Sequence, residues 1–246
     1  IALSLASNGA DVVIADIDLS ASKLVATEAR KLGHKALAKQ LDVTDTESVD
    51  LLVNNVISEF GRIDILVNNA GVIGASGWEI KERPDDADWE LIHAVNVHGL
   101  SRVTERVTHH MKQRRYGKVI NLASISGRIG SMTSVPYAAS KASVINMTQT
   151  YALELAPYSI NVNAICPGLI WTPMWKRISE RWIRDPEKGE GLTAREMFDQ
   201  SVQERVPLGR EQTTEDIGHL ASFLASEMAR NITGQAINVS GGTHFN

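Results

Sequence analysis

This sequence predicts an α/β fold on a doubly wound parallel sheet, and three observations predict it. Short apolar runs rich in Val and Ile alternate with helical patterns along almost the whole chain. Several runs are nearly continuous in hydrophobic residues, as strands covered on both faces of a sheet must be. No internal repeat, low-complexity tract or long linker divides the 246 residues, so they form one domain, 1–246.

The elements follow in order. DVVIADI (11–17) reads as a strand, and the stretch after DLSAS as a helix. KALAKQLDV (35–43) is the next strand; TDTE (44–47) opens a helix with Thr44 and Glu47 at capping-box spacing. IDILVNNAG (63–71) is a strand, followed by one long helix over about 86–113 that carries Trp89, Ile92, Asn96, Gly99 and Val103 on one stripe. GKVINLAS (117–124) is a strand. The helix after it starts near Pro136, a good first-turn residue, and stops at Pro157. INVNAICPG (160–168) and GQAINVSGG (234–242) complete the strands. Right-handed crossovers then place any ligand beyond the C-terminal ends of the strands.

Composition excludes several function classes. The net charge is −4, which argues against nucleic acid or a membrane surface as partner. The basic KQRR (112–115) reads as a solvated helix end. A single cysteine, Cys166, cannot form an intrachain disulfide, suits a reducing cytoplasm, and reads as buried and inert beside a turn. No apolar run reaches the roughly 18 residues needed to cross a bilayer. The seven histidines show no metal-ligand spacing, so no metal is expected; His109 and His110, being adjacent, are expected to point apart.

Candidate chemistry gathers at the strand ends. Asp16 ends the first strand, where a dinucleotide-binding fold places a carboxylate on a ribose 2′-hydroxyl; a carboxylate there repels a 2′-phosphate and favours NAD over NADP. Helix capping is the competing role, with Asp18 as a rival for it. Asp42 either accepts from an adenine amino group or opens the next turn. NNAG (68–71) lets the backbone approach a flat ligand while its amides tie neighbouring strands. Ser124 ends the next strand, and the CPG turn with Pro167 and Gly168 ends the one after. Tyr137 and Lys141 stand four apart, on one helix face. A Tyr-x-x-x-Lys pair alone is a weak motif; with Ser124, a mid-helix Asn96, NNAG and the PG turn it becomes a constellation.

Through ADID, LDVTD, NNAG, NVHG, S…YAASK, PG…TP and NVSGG, in that order, the chain resembles the short-chain dehydrogenase/reductase family over essentially its whole length. The resemblance implies a Rossmann-type sheet and hydride transfer between a nicotinamide, NAD by the Asp16 argument, and a carbonyl or secondary alcohol. It implies Tyr137 as catalytic acid/base and Ser124 as the hydroxyl orienting the substrate oxygen. Lys141 would lower the tyrosine pKa and bind the nicotinamide ribose, and Asn96 would hold a water in the proton relay. Asp16 would bind the adenosine ribose and Asp42 with Val43 the adenine. Asn69, Ala70 and Gly71 would form a wall beside that ribose, and Ile170 and Thr172 would contact the carboxamide. A free phenol, with pKa about 10, is too weak a base at neutral pH, and a nearby cation stabilises the phenolate.

The family's Thr-Gly-x-x-x-Gly-x-Gly loop and the strand before it are not in the sequence, which opens on what resembles the tail of the first helix, with Gly9 as its C-cap. That strand would lie between those ending at Asp16 and Ala70. The expectation is a gap of about 10 Å within the sheet, with poor folding and weak cofactor binding by the chain as written.

Residues 169–209 form a long insert. Trp171, Trp175, Ile178 and Trp182 share one helical face, and TARE (193–196) has capping-box spacing before a second helix. Such a lid shapes the substrate pocket in the family, which makes Trp171, Met174 and Trp175 candidate substrate contacts beside Ser124 and Tyr137; Trp182 is assigned to packing. The insert and the GGTHFN tail look similar to the polyol and acetoin branch, hence a small alcohol, diol or hydroxyketone as substrate. A 3-oxoacyl-thioester reductase is the second enzyme reading. A non-catalytic nucleotide sensor is a third, argued against by the intact Ser124, Tyr137, Lys141 and Asn96. The resemblance further implies a homodimer or homotetramer through the helices of Asn96 and Tyr137.

Overall fold

The computed structural model describes residues 1–130, 134–185, 189 and 191–245. Part of the 169–209 insert, residues 186–188 and 190, therefore lies outside the described residues. The chain runs α1 (Ala2–Ser7), β1 (Val12–Asp16), α2 (Leu19–Lys31), β2 (Ala36–Gln40), α3 (Thr46–Phe60) and β3 (Ile65–Asn68). It continues with α4 (Asp86–His93), a π-helical turn (Ala94–Gly99), α5 (Leu100–Arg114), β4 (Gly117–Leu122), α6 (Val135–Leu155) and β5 (Ile160–Pro167). Then come α7 (Pro173–Trp182), α8 (Ala194–Arg205), α9 (Thr214–Ala225) and β6 (Ala236–Val239). Helix α9 was absent from the sequence reading; its capping box, Thr213 with Asp216, was there to be read.

All strand pairings are parallel, in two sheets: β1 with β2, and β3-β4-β5-β6 in that order. The discontinuity falls between β1 and β3, where the sequence reading places it. Val12 and Ile14 of the first sheet share an apolar cluster with Ile65, Val67 and Ile120 of the second, under α1 and α9. On the opposite face Val119 and Val162 pack against Val103, Val107 and Met111 of α5. Strand β4 is buried at every position because helices cover both of its faces, its polar Lys118 and Asn121 included. Among the described residues no helix is long and apolar enough to cross a membrane.

Three local expectations are corrected. Thr44 does not cap α3: Asp45 does, accepting from Glu47 N at 3.0 Å, while the Thr44 hydroxyl and amide both donate to Asp42 Oδ1. The helix over 86–113 is continuous but contains a π turn with Asn96 and Gly99 buried in it; Trp89 leaves the expected stripe, 38% exposed and stacked on His93. Gly99 needs its lack of a side chain, since a Cβ there would meet Val43 at 2.6 Å. His109 and His110 do not point apart; their rings meet edge to face at 5.6 Å, because imidazoles reach across the roughly 100° between adjacent helix positions.

Other expectations hold. Asp18, not Asp16, caps α2, accepting from Ser20 N and Ala21 N. Thr193 and Glu196 form the capping box of α8. Gly9 follows α1 with φ +96°. The basic end of α5 ties elements together: Arg114 binds Asp64, Arg115 binds Pro157 O and Lys112 binds Glu154. Cys166 is fully buried, and burial pushes its thiol pKa up.

Candidate active site

The site is built at the C-terminal ends of β3, β4 and β5. Beneath it lies a buried amide ladder. Asn68 and Asn121 are register partners on β3 and β4. Asn68 Nδ2 donates to Asn121 Oδ1 and to Thr104 of α5, both at 2.9 Å. Asn121 Nδ2 donates to Thr148 of α6 at 2.9 Å. The first amide of NNAG thus ties strands and helices, as polar groups enclosed in a core must do to be tolerated.

Above the ladder the chain turns. Ser124 follows β4 with extended backbone, and its Oγ accepts from Ser126 N at 3.1 Å, capping a single 3₁₀ turn (Ile125–Gly127). Gly127 lies so close to the backbone of Lys141 and Ala142 that a Cβ would collide with it, so this turn sits directly on α6. Helix α6 presents Tyr137, Ser140 and Lys141 toward it. Tyr137 is partly buried, with the Ser124 hydroxyl near enough to lower its phenol pKa; Lys141 is 4% exposed.

Burial dominates the electrostatics. The Tyr137 phenol is pushed up to about 12 by desolvation, and the Ser124 hydrogen bond offsets only part of that. Lys141 is pulled down to about 8, again by desolvation. Lys141 is not among the groups that move the phenol, whose net shift is upward. Its ammonium donates to Leu122 O at 2.6 Å and stands 5.6 Å from the Tyr137 ring centroid.

Asn96 is 1% exposed, and its amide is satisfied within the chain. Oδ1 accepts from Val72 N at 2.8 Å; Nδ2 donates to Val72 O at 2.9 Å and Ser140 Oγ at 3.0 Å. It pins the segment after NNAG onto α6. Gly71 is held there without a side chain: a Cβ would stand 3.4 Å from Lys141 Nζ and 3.6 Å from Asn96 Oδ1. The structure therefore gathers Gly71, Asn96, Ser124, Tyr137 and Lys141 in one place.

The remaining sequence-predicted positions stand at strand ends or in the segments that follow them. Asn69 and Ala70 are exposed at the end of β3. Pro167 ends β5, and Gly168 packs so tightly on Gln212 and Ser240 that a Cβ would overlap both. Gln212 was missed by sequence reasoning, and no local signal marks it; its Oε1 accepts from Leu169 N at 2.8 Å and fixes the turn. Ile170 packs at the edge of the first core cluster, and Thr172 caps α7 by accepting from Trp175 N at 3.3 Å. Asp16 is exposed at the end of β1, makes no ion pair among the described residues, and accepts from Asp18 N at 3.0 Å. Asp42 is held below the usual carboxylate range by its Thr44 hydrogen bonds, and Arg102 fixes the neighbouring Val43 O at 2.6 Å.

Trp171 and Trp175 lie against Phe198 of α8 at 5.1 and 5.2 Å between ring centroids, and Trp182 meets Trp175 edge to face at 5.7 Å. The aromatic stripe thus joins the two helices of the insert, and Met174 sits partly buried on the first turn of α7.

A nicotinamide dinucleotide fits these residues. The side-chain-free backbone at Gly71 beside Lys141 leaves room for a flat group, and the unpaired Asp16 carboxylate is free to accept from a sugar hydroxyl.

Comparison with known proteins agrees. The family described as enoyl-(acyl carrier protein) reductase matches residues 1–244. The chain is 38% identical over 240 residues to 3-oxoacyl-[acyl-carrier-protein] reductase of Thermotoga maritima, covering 98% of this chain and 90% of that one. It is 40% identical over 242 residues to galactitol 2-dehydrogenase of Agrobacterium fabrum, again 98% and 90%. Among solved structures, NAD+-bound xylitol dehydrogenase superposes with a TM-score of 0.88 at 31% identity, covering 98% of this chain and 92% of that one. The match over residues 1–244, with relatives up to 40% identical over nearly the whole chain, places this chain in the short-chain dehydrogenase/reductase family, an oxidoreductase of the nicotinamide-dependent kind.

Proposed function

We propose that the protein interconverts a small secondary alcohol and its ketone, a polyol, diol or hydroxyketone, with NAD(H). The observation that carries this reading is the gathering of Ser124, Tyr137 and a buried Lys141 at the C-terminal end of β4. Tyr137 and Lys141 act with Ser124 and Asn96; Asp16, Asp42, Val43, residues 69–71, Pro167, Gly168, Ile170 and Thr172 hold the cofactor. When bound, the nicotinamide gives or takes the hydride.

The chain's own residues handle the proton and the geometry. Ser124 Oγ holds the substrate oxygen beside the Tyr137 hydroxyl, so that the two reacting groups meet without a search. With its pKa near 12, Tyr137 is protonated at neutral pH and is poised to donate to a carbonyl oxygen as that oxygen gains charge. Lys141 supports the developing phenolate by its charge. Asn96 keeps Val72 and Ser140 in place and so holds the lysine's surroundings.

The exposed, unpaired Asp16 supports NAD over NADP. Likeness to a galactitol and a xylitol dehydrogenase supports a polyol-type substrate. Likeness to a 3-oxoacyl-[acyl-carrier-protein] reductase supports the second reading, reduction of a 3-oxoacyl thioester. The outer faces of α5 and α6 support a homodimer or homotetramer. The test is a screen of polyols, diols, ketones and a 3-oxoacyl thioester by NADH absorbance, with NADPH as control. Turnover of small hydroxylated substrates with NADH is expected, and turnover of the thioester alone would decide for the second reading.

A further inference from the structure

Helix α7 has a second face. Opposite its tryptophans it carries Arg177 and Arg181, one turn apart and aimed at the loop that leaves β3. Arg177 Nη2 donates to Ala75 O at 2.9 Å and pairs with Glu79 at 2.8 Å. Arg181 donates to Trp78 O at 2.6 Å and Glu82 O at 2.9 Å. Both guanidinium groups stack on the Trp78 ring, 5.9 and 4.7 Å from its centroid, and that ring is 1% exposed.

The receiving loop is itself stapled. Fully buried Asp88 accepts from Ala75 N at 2.7 Å and Asp85 N at 3.1 Å and pairs with Lys81 at 2.9 Å. Arg177 and Arg181 therefore grip a fixed object rather than a loose one.

Sheet order gives this grip its meaning. Strand β4 lies between β3 and β5, all three parallel, so their C-terminal ends share one edge. Helix α7 starts just past β5 and is fastened to the loop that follows β3. The fastening thus joins elements that follow β5 and β3, the two strands on either side of β4, whose C-terminal end carries Ser124.

We infer that Arg177 and Arg181 are a latch that holds α7 across the site and sets substrate size, admitting small free ketones and alcohols and excluding acyl groups on a thioester arm. On this proposal an arm of that kind would leave between α7 and the loop after β3, the gap the two guanidinium groups close. This rests on the reading of Ser124 and Tyr137 as the reacting pair, and it deepens that reading toward the small-substrate class.

The test uses the full chain and two variants, R177Q/R181Q and, leaving α7 untouched, E79Q. Reduction of 2,3-butanedione and of the N-acetylcysteamine thioester of 3-oxobutanoate is followed by NADH absorbance, and hydrogen exchange is followed across 73–82 and 173–182. The parent is expected to favour the dione. In R177Q/R181Q the dione-to-thioester ratio of kcat/KM falls at least tenfold, exchange rises at least tenfold in both segments, and α9 is unchanged; E79Q moves the same way by less. An unchanged ratio, or unchanged exchange over 73–82 in an active enzyme, overturns the latch. Joint exchange in a parent that reduces neither compound upholds the latch and overturns the reaction reading instead.

Discussion

The Lys141 ammonium lies 5.6 Å from the centre of the Tyr137 ring, one helical turn away, and its hydrogen bond goes to Leu122 O at 2.6 Å. The pair is buried together, and burial moves the two groups in opposite directions, the phenol up to about 12 and the ammonium down to about 8. Both shifts favour the uncharged form, which is what removal from water does to any ionisable group.

Tyr137→Phe removes the proton donor and little volume. Turnover is expected to fall by about 10² to 10⁴, the range for a general acid, while NADH affinity measured by calorimetry stays within about threefold. Retained turnover in that variant would remove Tyr137 from the reaction.

Lys141 has a consequence for stability. Its folded-state pKa, about 8, lies below the ordinary 10.5, so below pH 8 the folded chain carries the full cost of a buried charge. Between about 8 and 10.5 the unfolded chain binds more protons, and stability rises with pH as that cost is relieved. Lys141→Met is expected to be more stable than the parent at pH 7, by up to about 3 kcal/mol less the lost hydrogen bond to Leu122. That advantage should shrink from pH 8 to 10.5 in urea unfolding; an advantage independent of pH contradicts the assignment.

Asp16 is the handle on cofactor choice. Replacing its exposed carboxylate by Ser removes the repulsion toward a 2′-phosphate and one acceptor for a 2′-hydroxyl. The NADH-to-NADPH ratio of kcat/KM should fall at least about tenfold, the effect of a single charged hydrogen bond. A constant ratio assigns Asp16 to the turn before α2 alone.

Asn68→Ala breaks the amide ladder and leaves Asn121 Oδ1 and Thr104 short of a donor in the core. The expected loss is about 2–4 kcal/mol in urea unfolding, one or two unsatisfied buried groups plus the cavity. A loss under about 0.5 kcal/mol would mean that the ladder carries no load.

Much of this was legible in the sequence because it is local. The alternation of apolar runs sets the parallel strands, the four-residue spacing of Tyr137 and Lys141 puts them on one face, and the order of motifs names the family. The discontinuity between β1 and β3 was legible too, since it follows from strand order. What escaped depended on long-range placement. The stripe placed Asn96 inward, but no spacing announces the π turn or that its amide is spent on Val72 and Ser140. The Lys141 ammonium found Leu122 O nineteen residues upstream. Arg177 and Arg181 find their partners about a hundred residues upstream, which no spacing within α7 announces.

By itself, then, the sequence determined all the strands, most of the helices and the family, because period and turn chemistry act over a few residues. Only the tertiary structure decided which donors are consumed within the chain, which way burial drives the Tyr137 and Lys141 pKa values, and that α7 is fastened to the loop after β3. Desolvation and hydrogen-bond competition depend on neighbours that the chain brings together from dozens of residues apart.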